Sequence, residues 1–227
     1  MLLSSYRNNS ALNKNTITHV CFDLDGTLVD SRETILKSTQ AALDQLNIPH
    51  RIPENIFTNM IGKHFVDIFE ELKINVPYFE KFISIYKLLY FDFIESSYLY
   101  KGVKETIEFL TKKHIKVSLL TTKGQDQAEK IIEHFNLSSS FDYLMGRRDG
   151  LAHKPSPEPL LYICKELQID PSKTMMTGDT ELDIQCGKNA GSKTCGVLYG
   201  YRTKDQLEKE MPDFLISGLS ELKNKLE

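Results

Sequence analysis

Hydrophobic and polar positions follow two patterns along this 227-residue chain. Short apolar runs, rich in β-branched and aromatic residues, are typical of buried strands. They are ITHVCFDL, IKVSLLT, FDYLM, KTMMTG, TCGVLY and DFLIS. Stretches with helical spacing separate them, near residues 103–114, 125–135, 157–167 and 182–189, with a last one from residue 220. Strand and helix in turn predict an α/β fold whose parallel sheet carries helices on both faces.

Residues 31–100 show a different pattern, with helical spacing and no convincing strand. The apolar residues recur in three groups: Ile35, Thr39, Ala42 and Leu46; Phe65, Ile68, Phe69 and Leu72; and Phe79, Phe82, Tyr86, Leu89 and Phe93. Ser31 stands where a helix cap is expected. We therefore predict a helical subdomain at 31–100, inserted into a core made of residues 16–30 and 101–227. Residues 1–15 are predicted to form a polar tail.

The first apolar run ends in two aspartates one residue apart, Asp23 and Asp25. Residues two apart in a strand face the same side, so the two carboxylates lie within a few ångströms of each other. At that range they repel by roughly 4 kcal/mol near a protein surface. Two solvated acids are the usual explanation for such a pair. A divalent cation bound between them is the alternative, because it reverses the local electrostatics.

Polar residues also close two other predicted strands. Thr121 ends IKVSLLT, and Asp179 ends KTMMTG. Ligands of open parallel sheets bind beyond the carboxyl ends of the strands, so we expect these residues beside the acidic pair. A strand-end threonine without a function is commoner in general, and the neighbouring acids are what favour the functional interpretation.

Composition narrows the class of partner. A net charge of -3 provides no basic surface for nucleic acid or an acidic membrane, so a small-molecule substrate is expected. No apolar stretch reaches the ~18 residues of a membrane span, and the start of the chain does not resemble a secretory signal. The cysteines lack Cys-x-x-Cys spacing, which predicts reduced thiols in a cytoplasmic protein. Nothing in the pattern sets the oligomeric state.

Four motifs, taken in order, resemble those of one family. They are FDLDGTLVDS, the Thr121 that ends VSLLT, Lys154 in HKPSPEP, and GDTELDIQCGKNAG with Asp179 and Asp183. In order and spacing they resemble the haloacid dehalogenase superfamily, in its magnesium-dependent phosphatase branch with a small helical cap. The resemblance runs from about residue 16 to the end. It implies a three-layer Rossmann-like core with residues 31–100 as the cap.

The resemblance also implies a division of chemical roles. Asp23 would attack phosphorus and become an aspartyl-phosphate, while Asp25 would serve first as acid and then as base. Mg²⁺ would be held by Asp23, by the backbone carbonyl of Asp25 and by Asp179. Thr121 would donate to the transferring group, and Lys154 would balance its charge.

Three further residues of these motifs have predicted roles at the site. Gly26 and Thr27 form the turn after the first strand, whose amides can donate to phosphate oxygens. Asp183 fits two roles equally, either holding Lys154 or a metal-bound water, or serving as an N-terminal helix acid.

The second motif departs from the family pattern. Asparagine often follows its threonine in the family, but here Thr122 and then Lys123 follow, and both are predicted to contact substrate. In the cap stretch IGKHF, Lys63 and His64 are placed either to meet an anionic substrate or simply to begin a helix. Arg147 and Arg148 in GRRDG either steer anions or face solvent.

The LVDS and IGK stretches look most like phosphoglycolate phosphatases and their pyrophosphatase and nucleotidase relatives. The leading hypothesis is therefore hydrolysis of a small phosphorylated metabolite, with phosphoglycolate as first candidate. Pyrophosphate, a nucleotide and a phosphomutase reaction of the β-phosphoglucomutase type are the alternatives. A haloacid dehalogenase proper is disfavoured because it has no use for Asp25 as acid and base. A phosphoacceptor signalling domain ranks lower, because such domains are shorter and lack the helical insertion.

Overall fold

The computed structural model describes residues 16–226, and the tail predicted for residues 1–15 lies outside them. The strands are β1 (His19–Phe22), β2 (Val29–Asp30), β3 (Tyr98–Leu99), β4 (Lys116–Gly124), β5 (Tyr143–Arg147), β6 (Thr174–Gly178), β7 (Lys193–Val197) and β8 (Phe214–Ile216). The α-helices are α1 (Arg32–Gln45), α2 (Glu54–Thr58), α3 (Phe65–Glu71), α4 (Phe79–Asp92), α5 (Val103–Lys112), α6 (Gln125–His134), α7 (Glu158–Glu166), α8 (Glu181–Asn189) and α9 (Lys204–Lys209). Short 3₁₀ turns lie at Ile94–Ser96, Ser138–Ser140, Pro171–Lys173 and Leu219–Lys225.

Within the described residues, six parallel strands form the main sheet in the order β5-β4-β1-β6-β7-β8. The chain starts at β1, moves to β4 and β5 on one side, and then returns to β6 on the other side. Phe22 of β1 therefore stands opposite Leu119 of β4 and Thr177 of β6. The strand order reverses at β1, which is where open parallel sheets bind their ligands.

Both faces of the sheet are covered, as the continuous apolar strands require. Every residue of β1 is buried, and neighbouring residues of that strand contribute to different clusters. Phe22 packs in the larger apolar cluster, whereas Cys21 packs in a smaller one on the opposite face with Leu120 and Met176. The predicted α/β fold with a parallel sheet covered by helices is confirmed. No helix of the described part is long and apolar enough to cross a membrane.

Helices α1 to α4, together called the helical insert, lie between β2 and β3. Helix α1 packs on α4. The interior of the insert is aromatic: the ring centre of Phe65 is 4.7 Å from that of Tyr86 and 5.1 Å from that of Phe82. Phe69 adds a further edge contact with Phe82 at 4.9 Å. The helical spacing of these residues in the sequence is what brings their rings to one side of each helix.

Three details differ from the sequence-based expectations. Tyr98–Leu99 pairs with Val29–Asp30 as an antiparallel ribbon, so the expectation of no strand within 31–100 is wrong at its end. Two-residue strands are too short to show an alternating pattern. Helices α2 and α9 were not predicted because each has at most six residues. The last predicted helix is a 3₁₀ helix at Leu219–Lys225.

Candidate active site

The carboxyl ends of neighbouring strands bring the predicted site residues together. Asp23 follows β1 directly, Thr121 lies in β4, Lys154 lies in the loop after β5, and Asp179 follows β6. All four are buried, with 6% or less of each residue exposed. Carboxylate oxygens of Asp23, Asp179 and Asp183 lie within 4.8 Å of one another. We call these three carboxylates the acidic cluster.

Lys154 is the cation of the acidic cluster. Its Nζ donates to Asp23 Oδ1 at 2.6 Å, to Asp183 Oδ1 at 2.5 Å and to the carbonyl oxygen of Leu120 at 3.1 Å. Only 3% of its side chain is exposed. A buried ammonium is tolerated only when its donors are satisfied and its charge is paired, and here both conditions hold.

Asp183 fills both of the roles that its position in the sequence left open. Its Oδ1 accepts from Lys154, and its Oδ2 accepts from the backbone amide of Thr180 at 3.0 Å. The Thr180 hydroxyl also donates to Oδ2 at 2.7 Å, and Thr180 and Asp183 together form a capping box at the start of α8. The capping box fixes the Asp183 carboxylate, which in turn holds the Lys154 ammonium.

Asp179 is held by two donors that come from distant parts of the chain. The Thr27 hydroxyl donates to Oδ1 at 3.0 Å, and the backbone amide of Tyr201 donates to Oδ2 at 2.8 Å. Gly26 approaches closely from the turn after β1 and has φ +85°. A Cβ there would lie 2.3 Å from Asp179 Oδ2, so both the space and the backbone conformation require glycine.

In the turn after β1, the backbone amides of Gly26 and Thr27 donate hydrogen bonds within the turn itself. The amide of Gly26 donates to the Val29 carbonyl at 2.8 Å, and that of Thr27 donates to the Leu24 carbonyl at 3.3 Å. These bonds hold the turn closed. Contact of Gly26 and Thr27 with phosphate therefore stays a prediction.

Electrostatics favour an additional positive charge in this cluster. Burial raises the pKa of Asp23 well above its usual range against the pull of Lys154, and repulsion from Asp183 and Asp179 adds to the rise. Burial and the charge of Asp183 raise the pKa of Asp179 to about 7. Three buried carboxylates face one ammonium, and a hard divalent cation compensates such an excess of negative charge. Buried carboxylate oxygens are also the ligands that such a cation prefers, so the residues fit it.

The Asp25 carboxylate is not one of the three that form the acidic cluster. Its Oδ2 lies 3.2 Å from Lys123 Nζ, and its Oδ1 accepts a hydrogen bond from the Ser31 hydroxyl. Ser31 takes the cap position of α1, but its side chain caps no helix amide. The predicted capping role of Ser31 is therefore wrong, because its hydroxyl is used by Asp25.

Lys123 is buried against the helical insert. Its Nζ lies 4.5 Å from the centre of the Tyr90 ring of α4, within the range of a cation–π contact. Burial lowers the pKa of Lys123, but Asp25, Tyr86 and Tyr90 outweigh it and raise the pKa above the usual range. The ammonium is therefore charged and already paired.

The helical insert reaches over the edge of the sheet through the loop at Gly62. The Thr122 hydroxyl donates to the Gly62 carbonyl at 3.4 Å, and Thr121 Oγ1 accepts from the Lys123 amide at 3.2 Å. The Thr121 hydroxyl proton remains available for a further acceptor. A cavity of about 120 Å³ lies between the insert and the core. Its lining includes Asp25, Phe57, Ile61, Lys63, His64, Phe65, Ile83, Tyr86, Thr122, Lys123 and Arg147.

The remaining cations predicted near the site differ in their surroundings. Lys63 lines the cavity but pairs with Glu71 at 2.9 Å. Arg147 Nη1 lies 3.0 Å from His64 Nδ1 and thereby joins the core to the insert. Arg148 hydrogen-bonds within the core, to the side chain of Gln125 in α6 and to Tyr143 and Leu144 of β5.

Comparison with known proteins places this geometry in a family. A family model described as "Haloacid dehalogenase-like hydrolase" matches residues 20–197. The chain belongs to this family. It is 32% identical over 204 residues to the phosphoglycolate phosphatase of Aquifex aeolicus (strain VF5), covering 89% of this chain and 93% of that protein. It is 30% identical over 214 residues to the pyrophosphatase PpaX of Bacillus pumilus (strain SAFR-032), covering 93% and 97%.

A solved structure supports the fold of this haloacid dehalogenase-like hydrolase. The haloacid dehalogenase-like family protein of Streptococcus pneumoniae superposes with a TM-score of 0.83 at 21% identity, over 93% of this chain and 99% of that chain. The predicted family, fold class and enzyme class, a hydrolase with phosphatase relatives, are confirmed.

Sequence reasoning missed three groups at the site of this hydrolase. The Tyr201 amide and the Leu120 carbonyl are backbone groups, which leave no signal in residue type. Gly200 packs so closely on Asp179 that a Cβ would lie 2.2 Å from the aspartate Cβ. Its only signal was a glycine just after a predicted strand.

Proposed function

We propose that this protein is a Mg²⁺-dependent phosphatase that hydrolyses a small phosphomonoester through an aspartyl-phosphate on Asp23. The observation that carries the proposal is the meeting of the acidic cluster with one buried ammonium, that of Lys154, at the carboxyl edge of the sheet. Relatives named phosphoglycolate phosphatase and pyrophosphatase support a reaction at phosphorus.

Asp23 attacks phosphorus in the first step. Its Oδ1 is held by Lys154, which leaves Oδ2 for the attack on phosphorus. Asp23, Asp179 and the backbone carbonyl of Asp25 would hold Mg²⁺, which would supply the charge neutralisation that lets an anionic carboxylate approach a phosphate. Asp183 holds the Lys154 ammonium in place through the hydrogen bond that its Oδ1 accepts. The Thr121 hydroxyl would donate to the transferring phosphoryl group, and the charge of the Lys154 ammonium would balance the negative charge of that group.

Asp25 acts as general acid in the first step and as general base in the second. It first protonates the departing ester oxygen, and it later accepts a proton from the water that hydrolyses the aspartyl-phosphate. Its side chain suits this role because it lies outside the acidic cluster and lines the cavity where a leaving group fits.

The helical insert acts as a cap that excludes water from the reaction. We place the cap at residues 31–100 and its hinges at Asp30–Ser31 and Tyr100–Gly102. The β2–β3 ribbon at the base of the insert and the left-handed φ of Gly102, +87°, support these hinge positions.

The substrate is a small phosphorylated metabolite, with phosphoglycolate as the first candidate and pyrophosphate as the second. Each is favoured by the name of a relative. The enzyme acts in the cytoplasm. In the described residues all four cysteines are buried and unpaired, as a reducing compartment allows.

A panel assay tests the proposal. Phosphate release is measured from phosphoglycolate, pyrophosphate, a nucleotide and a hexose phosphate, with Mg²⁺ and with EDTA. We expect release from at least one of them only with Mg²⁺, and a loss of about 10³-fold or more in Asp23→Asn. Asp92→Asn, an exchange on the surface of α4, is the matched control. Turnover that survives Asp23→Asn contradicts the assignment of the nucleophile, and isomerisation of the hexose phosphate indicates a mutase.

A further inference from the structure

Lys123 joins the catalytic edge of the core to helix α4 of the insert. Its Nζ lies 3.2 Å from Asp25 Oδ2 on one side and 4.5 Å from the centre of the Tyr90 ring on the other. Only 8% of the Lys123 side chain and 11% of the Asp25 side chain are exposed, and Tyr90 is fully buried. One ammonium therefore contacts an acid of the core and an aromatic ring of the insert.

Asp25 is held at both of its carboxylate oxygens. The Ser31 hydroxyl at the start of α1 donates to Oδ1, and Lys123 at the end of β4 approaches Oδ2. Rotation of a carboxyl group about its last bond is otherwise nearly free. Two donors from different elements fix its plane. Each oxygen keeps a second lone pair for exchange of a proton with a leaving group or water.

The charge of Lys123 is compensated before any substrate binds. An anionic substrate would have to compete with Asp25, whose carboxylate is already in ion-pair contact. Arg147 lines the same cavity and has no carboxylate partner among residues 16–226, so it is the better placed of the two cations to meet an anion. The environment of Lys123 thus favours a role directed at Asp25 over direct binding of substrate.

We propose that Lys123 is a positioning residue, which orients the Asp25 carboxyl for proton transfer while Tyr90 of the insert covers the lysine ammonium. The proposal rests on the proposed function, since it takes Asp25 as the group that exchanges protons. In the first step a proton that Asp25 has taken from solvent passes to the ester oxygen as its bond to phosphorus breaks and the bond from Asp23 forms. In the second step a water proton passes to Asp25 as the water oxygen bonds to phosphorus and the Asp23 bond breaks. Lys123 transfers no proton in either step.

The contact with Tyr90 makes this arrangement depend on the insert. Tyr90 lies in α4, and the aromatic ring shields the lysine from water only when α4 packs on the core. A cation–π contact is strongest when it is desolvated, as here. Orientation of Asp25 and closure of the insert over the site are therefore coupled through one side chain.

Steady-state kinetics of Lys123→Met provide the main test. p-Nitrophenyl phosphate is the substrate, because its good leaving group needs little help from an acid, so that kcat reports the second step, in which Asp25 accepts the water proton. If Lys123 positions Asp25, kcat falls by about 10- to 100-fold while KM stays within about threefold, and Lys123→Arg recovers part of kcat. A raised KM with unchanged kcat overturns the proposal and assigns Lys123 to substrate binding.

A double-mutant cycle tests whether Lys123 acts through Asp25. In the Asp25→Asn background, Lys123→Met should lower kcat by less than about twofold, because the group that it positions is already disabled. Losses that multiply as in independent sites overturn the proposal.

The insert is tested by a matched pair at one position. Tyr90→Phe keeps the ring and should lower kcat less than Tyr90→Leu, which removes the ring and should lower kcat in the same sense as Lys123→Met. Equal kcat in the two variants overturns the link to the insert. Thermal unfolding shows whether each variant is folded; should Lys123→Met unfold, Lys123→Arg and the Tyr90 pair still decide. Absence of Mg²⁺-dependent turnover in the wild-type enzyme contradicts the proposed function itself, a result distinct from all of these.

Discussion

The edge of the sheet and the helical insert carry their charges in different ways. At the edge, the ion pairs of Lys154 are buried, with 8% or less of any partner side chain exposed. In the insert, Lys63 pairs with Glu71 at the surface, where the two side chains are 35% and 54% exposed. The interior of the insert is aromatic instead. The core therefore supplies fixed electrostatics, and the insert supplies apolar cover.

This difference predicts how each region responds to mutation. Removing one partner of a buried pair leaves an uncompensated charge and costs about 3–5 kcal/mol, whereas an exposed pair is worth about 0–1 kcal/mol. Changes at the edge should consequently alter stability and activity together. Changes to surface charges of the insert should leave stability intact.

Lys154→Met should produce the largest effect. It leaves Asp23 and Asp183 without their cation, so we expect a loss of about 3–5 kcal/mol in the free energy of unfolding and of at least about 10³-fold in kcat. Lys193→Met, which breaks a half-exposed pair with Asp213, is the control and should cost less than about 1 kcal/mol. Urea unfolding and phosphate release measure both quantities. Similar losses of stability in the two variants would contradict the contrast between buried and exposed pairs.

Gly26→Ala should have the next largest effect. The new Cβ meets Asp179 and occupies a left-handed backbone position, which together cost about 2–4 kcal/mol and displace a metal ligand. Gly150→Ala separates the two causes, because Gly150 has φ +77° but nothing within 4 Å of its Cβ position. That control should cost about 1–2 kcal/mol and retain activity. Equal losses would mean that backbone strain alone accounts for the effect at Gly26.

Metal and pH should act together on the acidic cluster. Because the pKa of Asp179 is raised from 3.8 to about 7, the folded metal-free protein holds a proton that the unfolded chain releases. Its stability therefore falls as pH rises from about 4 to about 7. Mg²⁺ binds the deprotonated carboxylates, so it should raise Tm by about 3–6 °C at pH 8 and by less at pH 5. Asp179→Asn should abolish most of this difference, and an equal Mg²⁺ effect at both pH values would count against the cluster as the metal site.

Lys63→Met should have the smallest effect on stability, within about 0.5 kcal/mol, because its partner Glu71 is exposed. Its kinetics test the predicted contact with substrate. A role in binding predicts a KM raised about fivefold or more with kcat retained. Lys81→Met, an exposed lysine of α4, is the control. An unchanged KM would indicate that Lys63 is a surface charge only.

The alternation of strands and helices, and the residue types at the strand ends, could be predicted from the amino-acid sequence. Asp23, Thr121 and Asp179 could be placed at one edge because parallel strands share the direction of their carboxyl ends. Lys154 and Asp183 entered through the resemblance to a family, since no local pattern sets them apart from ordinary surface residues. The predicted strands, helices and strand ends depend on short-range periodicity, which can be read directly from the amino-acid sequence.

The partner of each polar group could not be predicted in this way, and the three-dimensional structure was needed to identify it. Ser31 was predicted to cap a helix but donates to Asp25, and Lys123, predicted to contact substrate, pairs with the same acid. The Tyr201 amide reaches Asp179 from 22 residues away, and Tyr90 reaches Lys123 from the helical insert. Such contacts depend on how distant segments pack, and side-chain identity alone does not record that.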